Sequence, residues 1–297
     1  MRLDDGTILF QSIDVITPPC NDPYMYGRIA AANALSDLYA RAVRPLCAMH
    51  ILAIPPAQVP PEVAARILQG AIDALAEAGA VSMGGHTLKE GSVFYGIAVT
   101  GTAREDRVVS MKGAQPGDCL VLTKPIGTGV LIEHVRNGTV PETQLDPVLR
   151  VMARLNARAA HAMSDFQAHA ATDVTGFGLL GHAWNLAHAS GVDIEIEFAR
   201  VPVYPEAQTL FREGRYAGAY RANEKYYGRY TEWQDAEMRA GGAPILFDPQ
   251  TSGGLLIALP ESRAQALCAV LRDAGESAWI IGRIVARRGP QSRVYIR

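Results

Sequence analysis

Several stretches of this chain place carboxylates and glycines where a plain apolar pattern would not. Asp14 follows the strand-like run "TILFQSI". Asp37 closes "NALSD" on a helical pattern otherwise lined with alanine and leucine. "MGGHT" sets Gly84, Gly85, His86 and Thr87 directly after an extended run. "ATDVTGFGLLGH" sets Asp173 ahead of two closely spaced glycines, and "DPQTSGG" (Asp248 to Gly254) precedes another buried-strand pattern. Glycines let backbone N–H groups approach phosphate oxygens, and a helix start adds partial positive charge. Carboxylates repel the same phosphates unless a hard cation stands between them, and magnesium is usually held by one or two carboxylates plus substrate oxygens. Together these parts suit nucleoside triphosphate chemistry. Each also has a plainer reading: Asp173 as a helix N-cap, Asp37 as a helix-surface carboxylate, the glycine pair and "DPQTSGG" as turns, and His86 as a hydrogen-bonded structural histidine. No GxxxxGK[ST] occurs, and no GxGxxG follows a strand, so the familiar nucleotide-binding loops are absent.

The elements that must position these residues alternate in period. "TILFQSI", "RPLCAMHILAI" and "SVFYGIAVTGTA" read as strands, and "YMYGRIAAANALSDLYARA" and "PEVAARILQGAIDALAEAG" as helices. "MKGAQPGD" reads as a linker, which puts a boundary near Gly113 between an N-terminal domain (1–112) and a C-terminal α+β domain (113–297). The second part opens on "CLVLTKPIG". It continues through the helical patterns "GVLIEHVRNG" and "DPVLRVMARLNARAAHAMSD", a short strand reaching Asp173, and a helix from about Phe177. It ends with "GGLLIALP", the helical "ESRAQALCAVLRDAG" and the strands "AWIIGRIVA" and "RVYIR". The stretch Tyr204–Trp233 is polar, aromatic and weakly periodic, and reads as loop-rich. The apolar length of "RPLCAMHILAI" and "SVFYGIAVTGTA" suggests covered faces and one edge joined to a partner subunit.

Composition narrows the class. The 297 residues exceed a single domain of roughly 100–150 residues. A hydrophobic content of 48% with 20% charged residues is that of a globular chain. A net charge of −2 offers no general attraction for nucleic acid or an anionic membrane. Cys20, Cys47, Cys119 and Cys268 form no CxxC pair and lie at no zinc-ligand spacing with histidine, which fits a reducing, cytoplasmic setting. No stretch approaches ~18 uncharged apolar residues, so neither a membrane span nor a leader is expected.

Taken in order, "GRIAAANALSDLYA", "MGGHT", "ATDVTGFGLLGH" and "DPQTSGGLL" resemble selenophosphate synthetase (selenide, water dikinase), from about Gly6 to the C-terminus. The wider relatives form the aminoimidazole ribonucleotide synthetase superfamily, which includes thiamine-monophosphate kinase and a hydrogenase maturation protein. The resemblance implies an α/β (α+β) two-domain subunit whose N-terminal sheet closes a β-barrel in a homodimer. It implies an enzyme that converts ATP, selenide and water to selenophosphate, phosphate and AMP with Mg2+. Carried across, Asp14 and Asp37 become ATP- and magnesium-associated carboxylates and Asp173 a third metal carboxylate. Gly84, Gly85, His86 and Thr87 lie by the nucleotide, partly across the dimer interface, and Asn33 supports the same site.

Two departures stand out. The family carries, ahead of the region matched here, a glycine-rich segment with a cysteine or selenocysteine, a nearby lysine and a further metal-binding aspartate. Asp4 and Asp5 lie too close to "GTILF" to stand for that aspartate. Cys20 follows "TPP" rather than sitting in a glycine loop. The expectation is a chain shortened at the catalytic loop or a naturally short paralogue, which binds Mg-ATP weakly and makes little selenophosphate. The other departure is "AYRANEKYYG", which follows the family's asparagine-containing loop only loosely. Two alternatives accompany this reading: another ATP-dependent enzyme of the superfamily, and a non-catalytic nucleotide-binding homologue.

Overall fold

The computed structural model describes residues 1–297. It divides into two compact units, Met1–Val108 with Val135–Ala157, and Val109–His134 with Arg158–Arg297. The first unit therefore takes in a segment well beyond Gly113.

In the first unit β1 (Thr7–Ile16), α1 (Pro23–Tyr39), β2 (Arg44–Ile54), α2 (Pro61–Glu77), β3 (Val81–Lys89) and β4 (Phe94–Arg104) build one four-stranded sheet of order β1-β4-β2-β3. β4 pairs antiparallel with β1 and β2, while β3 runs parallel to β2 with α2 as the crossover between them. β2 and β4 are thus the two inner strands, and the edges are β1 and β3; the expected edge role for a long apolar run is not what the sheet shows. Their apolar length reflects central position instead.

Helix α1 starts where Asp22 accepts from the Tyr24 N–H at 2.9 Å, with Pro23 in the first turn. Nearly the whole helix is buried, because the sheet covers one side and α2 and α4 (Asp146–Ala153) pack on others. Small residues permit this. A Cβ added to Gly27 would lie 1.9 Å from the Ile67 carbonyl oxygen, and one on Gly70 would lie 2.0 Å from that of Tyr24. The two helices therefore touch backbone to backbone. The sheet face opposite the helices keeps its apolar side chains in the open: Ile13, Met49, Val81 and Met83 are each over half exposed.

The glycine pair of "MGGHT" lies inside β3 rather than after a strand. Between Ala48↔Ser82 and His50↔Gly85, β3 spends one more residue than β2, a bulge at which Gly84 takes φ +90°. Only glycine adopts that conformation without strain.

Past α3 (Thr128–Arg136) and α4, the expected single helix over 146–165 breaks, and α5 (Ala157–Asp165) is a separate element. Arg154 is extended at the break, and Asn156 gives its side-chain amide to the Ser36 hydroxyl at 2.9 Å. A polar tie to α1 replaces helix continuation.

The second unit is built on a seven-stranded sheet of order β6-β9-β5-β10-β7-β11-β8. In chain order its strands are β5 (Asp118–Leu122), β6 (Ala170–Asp173), β7 (Asp193–Ile196), β8 (Thr231–Trp233), β9 (Leu255–Pro260), β10 (Trp279–Val285) and β11 (Val294–Ile296). Its later helices are α6 (Gly178–Ser190), α7 (Pro205–Arg212), α8 (Tyr220–Tyr227), α9 (Ala236–Ala240) and α10 (Glu261–Asp273). α10 covers β9, β5 and β10, while α6 covers β6, β7 and β11. Strand β7 is absent from the sequence reading because its pattern is misleading: Asp193 and Glu195 are buried carboxylates. Asp193 accepts the N–H groups of Arg288 and Arg293, and Glu195 accepts the guanidinium groups of Arg283 and Arg288. The loop-rich reading of Tyr204–Trp233 also gives way to α7, α8 and β8. Stacked rings order that region, with Tyr216 on Tyr220 at 4.5 Å and Tyr230 on Trp184 at 4.2 Å.

Candidate functional site

In the first unit the carboxylates of interest meet along the contact between β1 and α1. Ser12 and Asp14 lie two apart on the strand and so share a face; Asn33 and Asp37 lie four apart on the helix and so share a face. The faces interlock. Asp14 Oδ2 accepts from the Asn33 side-chain amide at 2.9 Å, and Asp37 Oδ2 accepts from the Ser12 hydroxyl at 2.5 Å. Asn33 is buried and both aspartates are half-buried, so Asp37 is not the solvated helix-surface carboxylate of the plainer reading. Each aspartate is oriented by a neutral donor.

Gly84, Gly85, His86 and Thr87 are all exposed on edge strand β3. His86 is therefore not a buried structural histidine. No heavy atom lies within 4 Å of a Cβ built on Gly84, so that backbone is open to approach.

Asp173 belongs to the second unit, at the end of β6 opposite Leu255 of β9. It is buried, and it does not cap α6, whose capping position is Phe177 with no side-chain bond. The turn after it is fixed by glycines. Gly178 holds φ +70°, where a Cβ would meet the Phe247 backbone at 2.7 Å, and a Cβ on Gly253 would meet the Val174 carbonyl oxygen at 2.1 Å. His182 Nε2 accepts the Thr175 N–H at 3.0 Å, which assigns the ring proton to Nδ1.

"DPQTSGG" is a clamp rather than a loose turn. Gln250 Oε1 accepts the N–H groups of Gly127 and Thr128 at 2.9 and 3.1 Å, and its N–H bonds Thr175 O at 3.0 Å. Asp248 Oδ2 accepts from the N–H groups of Gly129 and Val130 in the first turn of α3. The clamp thus ties the start of α3 to the turn after Asp173. Sequence reasoning assigned no individual role to three members of this assembly. Asn223 of α8 donates to Gly176 O and Phe247 O at 2.9 and 3.0 Å, Gln250 fills the α3 entry, and Lys124 is buried with Nζ 3.0 Å from Ser252 O. The available signal was Lys124 itself, a cation directly after an apolar strand.

Cys20 is buried, and desolvation followed by the nearby Glu142 carboxylate pushes its thiol up to about 12. It is a thiol at neutral pH, without the thiolate character a nucleophile needs.

Asp14, Asp37 and Asp173 offer hard carboxylate oxygens, the ligand type Mg2+ takes. No group of three or more His, Cys, Asp or Glu side chains converges into a preformed cage. The Asp14 and Asp37 carboxylates of the first unit have the chemistry of a partial cation site, one that takes its remaining ligands from substrate oxygens.

The chain is a two-domain AIR synthase-type protein: residues 1–103 match the AIR synthase related protein N-terminal domain, and residues 115–295 match its C-terminal domain. Solved structures agree on the fold. Thiamine-monophosphate kinase from Stenotrophomonas maltophilia superposes with a TM-score of 0.73 at 17% identity, covering 98% of this chain and 86% of that one. The hydrogenase maturation protein HypE in complex with ATP gives 0.67 at 22% identity, covering 96% and 79%. Sequence is more selective. The selenide, water dikinase of Geobacter metallireducens is 43% identical over 289 residues, 97% of this chain and 83% of the relative, and that of Pelobacter propionicus is 40% identical over 296 residues, 99% and 84%. The chain belongs to the selenide, water dikinase family.

One titration follows from the clamp. Burial raises the Asp248 carboxyl to about 7, against the pull of the Val130 N–H, Gln250 and the Gly129 N–H. Its folded pKa lies above the unfolded value, so between about pH 4 and pH 7 the folded chain keeps a proton that the unfolded chain has lost. Stability from this group is full below that window and falls as pH rises through it, by at most about 1.4 kcal/mol per pH unit. Urea unfolding across the window should show this decline in the parent chain and not in Asp248→Asn. A parent–variant difference that stays constant with pH would rule out the raised pKa.

Proposed function

We infer that this chain is an ATP-dependent selenide, water dikinase, forming selenophosphate, phosphate and AMP from ATP, selenide and water. The observation that carries the reading is the whole-length similarity to selenide, water dikinases, at 43% identity across both domains. Phosphorus NMR of the purified chain with Mg-ATP and selenide, kept anaerobic, tests it directly. Selenophosphate and AMP appearing together, even at a low rate, is the expected outcome. ATP bound but never turned over would favour the non-catalytic homologue, and ATP consumed only with a different acceptor would favour another enzyme of the superfamily.

The site assignments are proposals within that reading. Asp14, Asp37 and Asp173 would hold Mg2+, which when bound neutralises triphosphate charge. Asn33 and Ser12 orient the two carboxylates of the first unit so that neither must swing into place when nucleotide arrives. Gly84, Gly85, His86 and Thr87 present open backbone to the nucleotide, and the clamp around Gln250 fixes the turn that follows Asp173. Catalysis in this arrangement rests on positioning and charge compensation, as in phosphoryl transfer generally.

The cellular setting proposed is the reducing cytoplasm, consistent with four cysteines that form no disulfide; no helix is long and apolar enough to cross a membrane. A homodimer is proposed because the open sheet face carries Ile13, Met49, Val81 and Met83 over half exposed, which covering by a second copy would remove from water. Such a pairing is how the N-terminal sheet would close a β-barrel. Sedimentation at micromolar protein should give twice the chain mass; a concentration-independent monomer would contradict the pairing.

Removing the charge of one ligand leaves the triphosphate poorly compensated. Asp173→Asn is expected to weaken Mg-ATP binding by about tenfold or more in calorimetric titration, with the fold kept. Unchanged affinity would withdraw Asp173 from the ligand set.

A further inference from the structure

Among the last fifteen residues five are arginines, Arg283, Arg287, Arg288, Arg293 and Arg297, and none is acidic, although the whole chain carries a net charge of −2. The fold gathers three of them on one carboxylate. Arg283 of β10 stands opposite Glu195 of β7, and Glu195 opposite Tyr295 of β11. Side chains alternate along each strand, so this row shares one face of the sheet with Arg297, two residues beyond Tyr295. The residues between them, Ile194, Ile196, Ile284, Val294 and Ile296, are buried on the other face.

Glu195 Oε2 accepts from Arg283 at 2.7 Å, while Oε1 accepts from Arg288 at 2.6 Å and lies 3.5 Å from Arg297 Nη2. The Arg288 N–H is itself held by Asp193 at 2.9 Å, which fixes the chain after β10 beside this row. Burial raises the Glu195 carboxyl, yet the hydrogen bonds from Arg288 and Arg283 outweigh it and keep the pKa below the ordinary value. A buried carboxylate needs a counter-charge, and one well-placed arginine provides it. Three exceed the need. Each guanidinium has five N–H donors against about four lone-pair sites on a carboxylate, so most of the donors point elsewhere. Glu195 is 8% exposed, whereas Arg283, Arg288 and Arg297 are 68, 46 and 41% exposed. Arg283 and Arg297 line a cleft of about 560 Å³ with Glu195, Ala199 and Glu197, and Glu197 has its own partner in Arg200 at 2.7 Å. Even with the buried Asp193 counted, this face keeps an excess of positive charge, on donors held in place by a buried anchor.

The kind of anion follows from Tyr295. Arg288 lies 4.6 Å and Arg297 5.5 Å from its ring centroid, so the ring is engaged with cations and is not a free platform for the bases of a single-stranded nucleic acid. Fixed guanidinium forks suit a compact oxyanion instead. Three strands separate β7 from β6, which carries Asp173, so this cluster is not part of the turn described above.

We propose that Arg283, Arg288 and Arg297, anchored on Glu195, form a binding site for a compact phosphoryl oxyanion, either inorganic phosphate or the phosphate of a small phosphomonoester. The site lies wholly within the second unit, and its chemistry does not depend on the catalytic reading of the chain.

The full chain, isotope-labelled, is titrated with inorganic phosphate, with glycerol phosphate and, at the same ionic strength, with sodium chloride, while backbone amide NMR shifts are followed. Saturable shifts at residues 282–285 and 294–297 with millimolar inorganic phosphate or glycerol phosphate, and none with chloride, are expected; the tighter of the two identifies the source. Arg283→Gln combined with Arg297→Gln should weaken this binding about tenfold or more, Arg288 remaining to neutralise Glu195. Should that variant unfold, Arg297→Gln alone carries the test, since its contact with Glu195 is the longest of the three. Shifts confined to residues 173–178, shifts reproduced by chloride, or unchanged affinity in the variants overturn the inference. Binding of a short oligouridylate without a response to either phosphate overturns it as well.

Discussion

The first unit depends on how closely α1 can be enclosed. With Gly27 against the Ile67 carbonyl and Gly70 against that of Tyr24, the helix packs backbone to backbone on α2 while its other side lies on the sheet. A helix buried all round has no solvent to receive a polar side chain, and an unpaired buried polar group costs about 1–3 kcal/mol. Every polar residue on α1 must therefore find a partner in a neighbouring element. Asn33 finds Asp14, Ser36 finds Asn156 and Asp37 finds Ser12. The same enclosure that buries alanine and leucine thus draws two carboxylates into fixed positions along one strand–helix contact.

The second unit reaches a comparable precision by a different route. Hydrogen bonds to backbone groups hold its turn after Asp173: Gln250 on Thr175 and on the start of α3, Asn223 on Gly176, His182 on Thr175. Glycines at 178 and 253 are needed because the backbones pass within van der Waals distance. A loop fixed by main-chain bonds can hold a carboxylate in place in this way.

Membership of the selenide, water dikinase family implies ATP-dependent phosphoryl transfer, a reaction class that rests on positioning and charge compensation. The chain contributes no thiolate to that chemistry through Cys20, whose burial keeps it protonated.

The sequence by itself determined the family, the two-domain order and most strands and helices, since apolar periodicity and four long motifs are local properties of the chain. It also singled out Asp14, Asp37 and Asp173, because a carboxylate inside an apolar run is conspicuous. It could not determine what those carboxylates touch, nor that the "MGGHT" glycines form a bulge within a strand. Strand β7 was illegible because half of its four buried residues are the carboxylates Asp193 and Glu195, whose partners lie some ninety residues later in the chain. The break between α4 and α5 was equally hidden, because Asn156 answers to Ser36 more than a hundred residues earlier. Only the tertiary structure decided these points, for a physical reason common to all of them: the stabilising partner of a buried polar group is chosen by proximity in space, and local spacing along the chain carries no record of it.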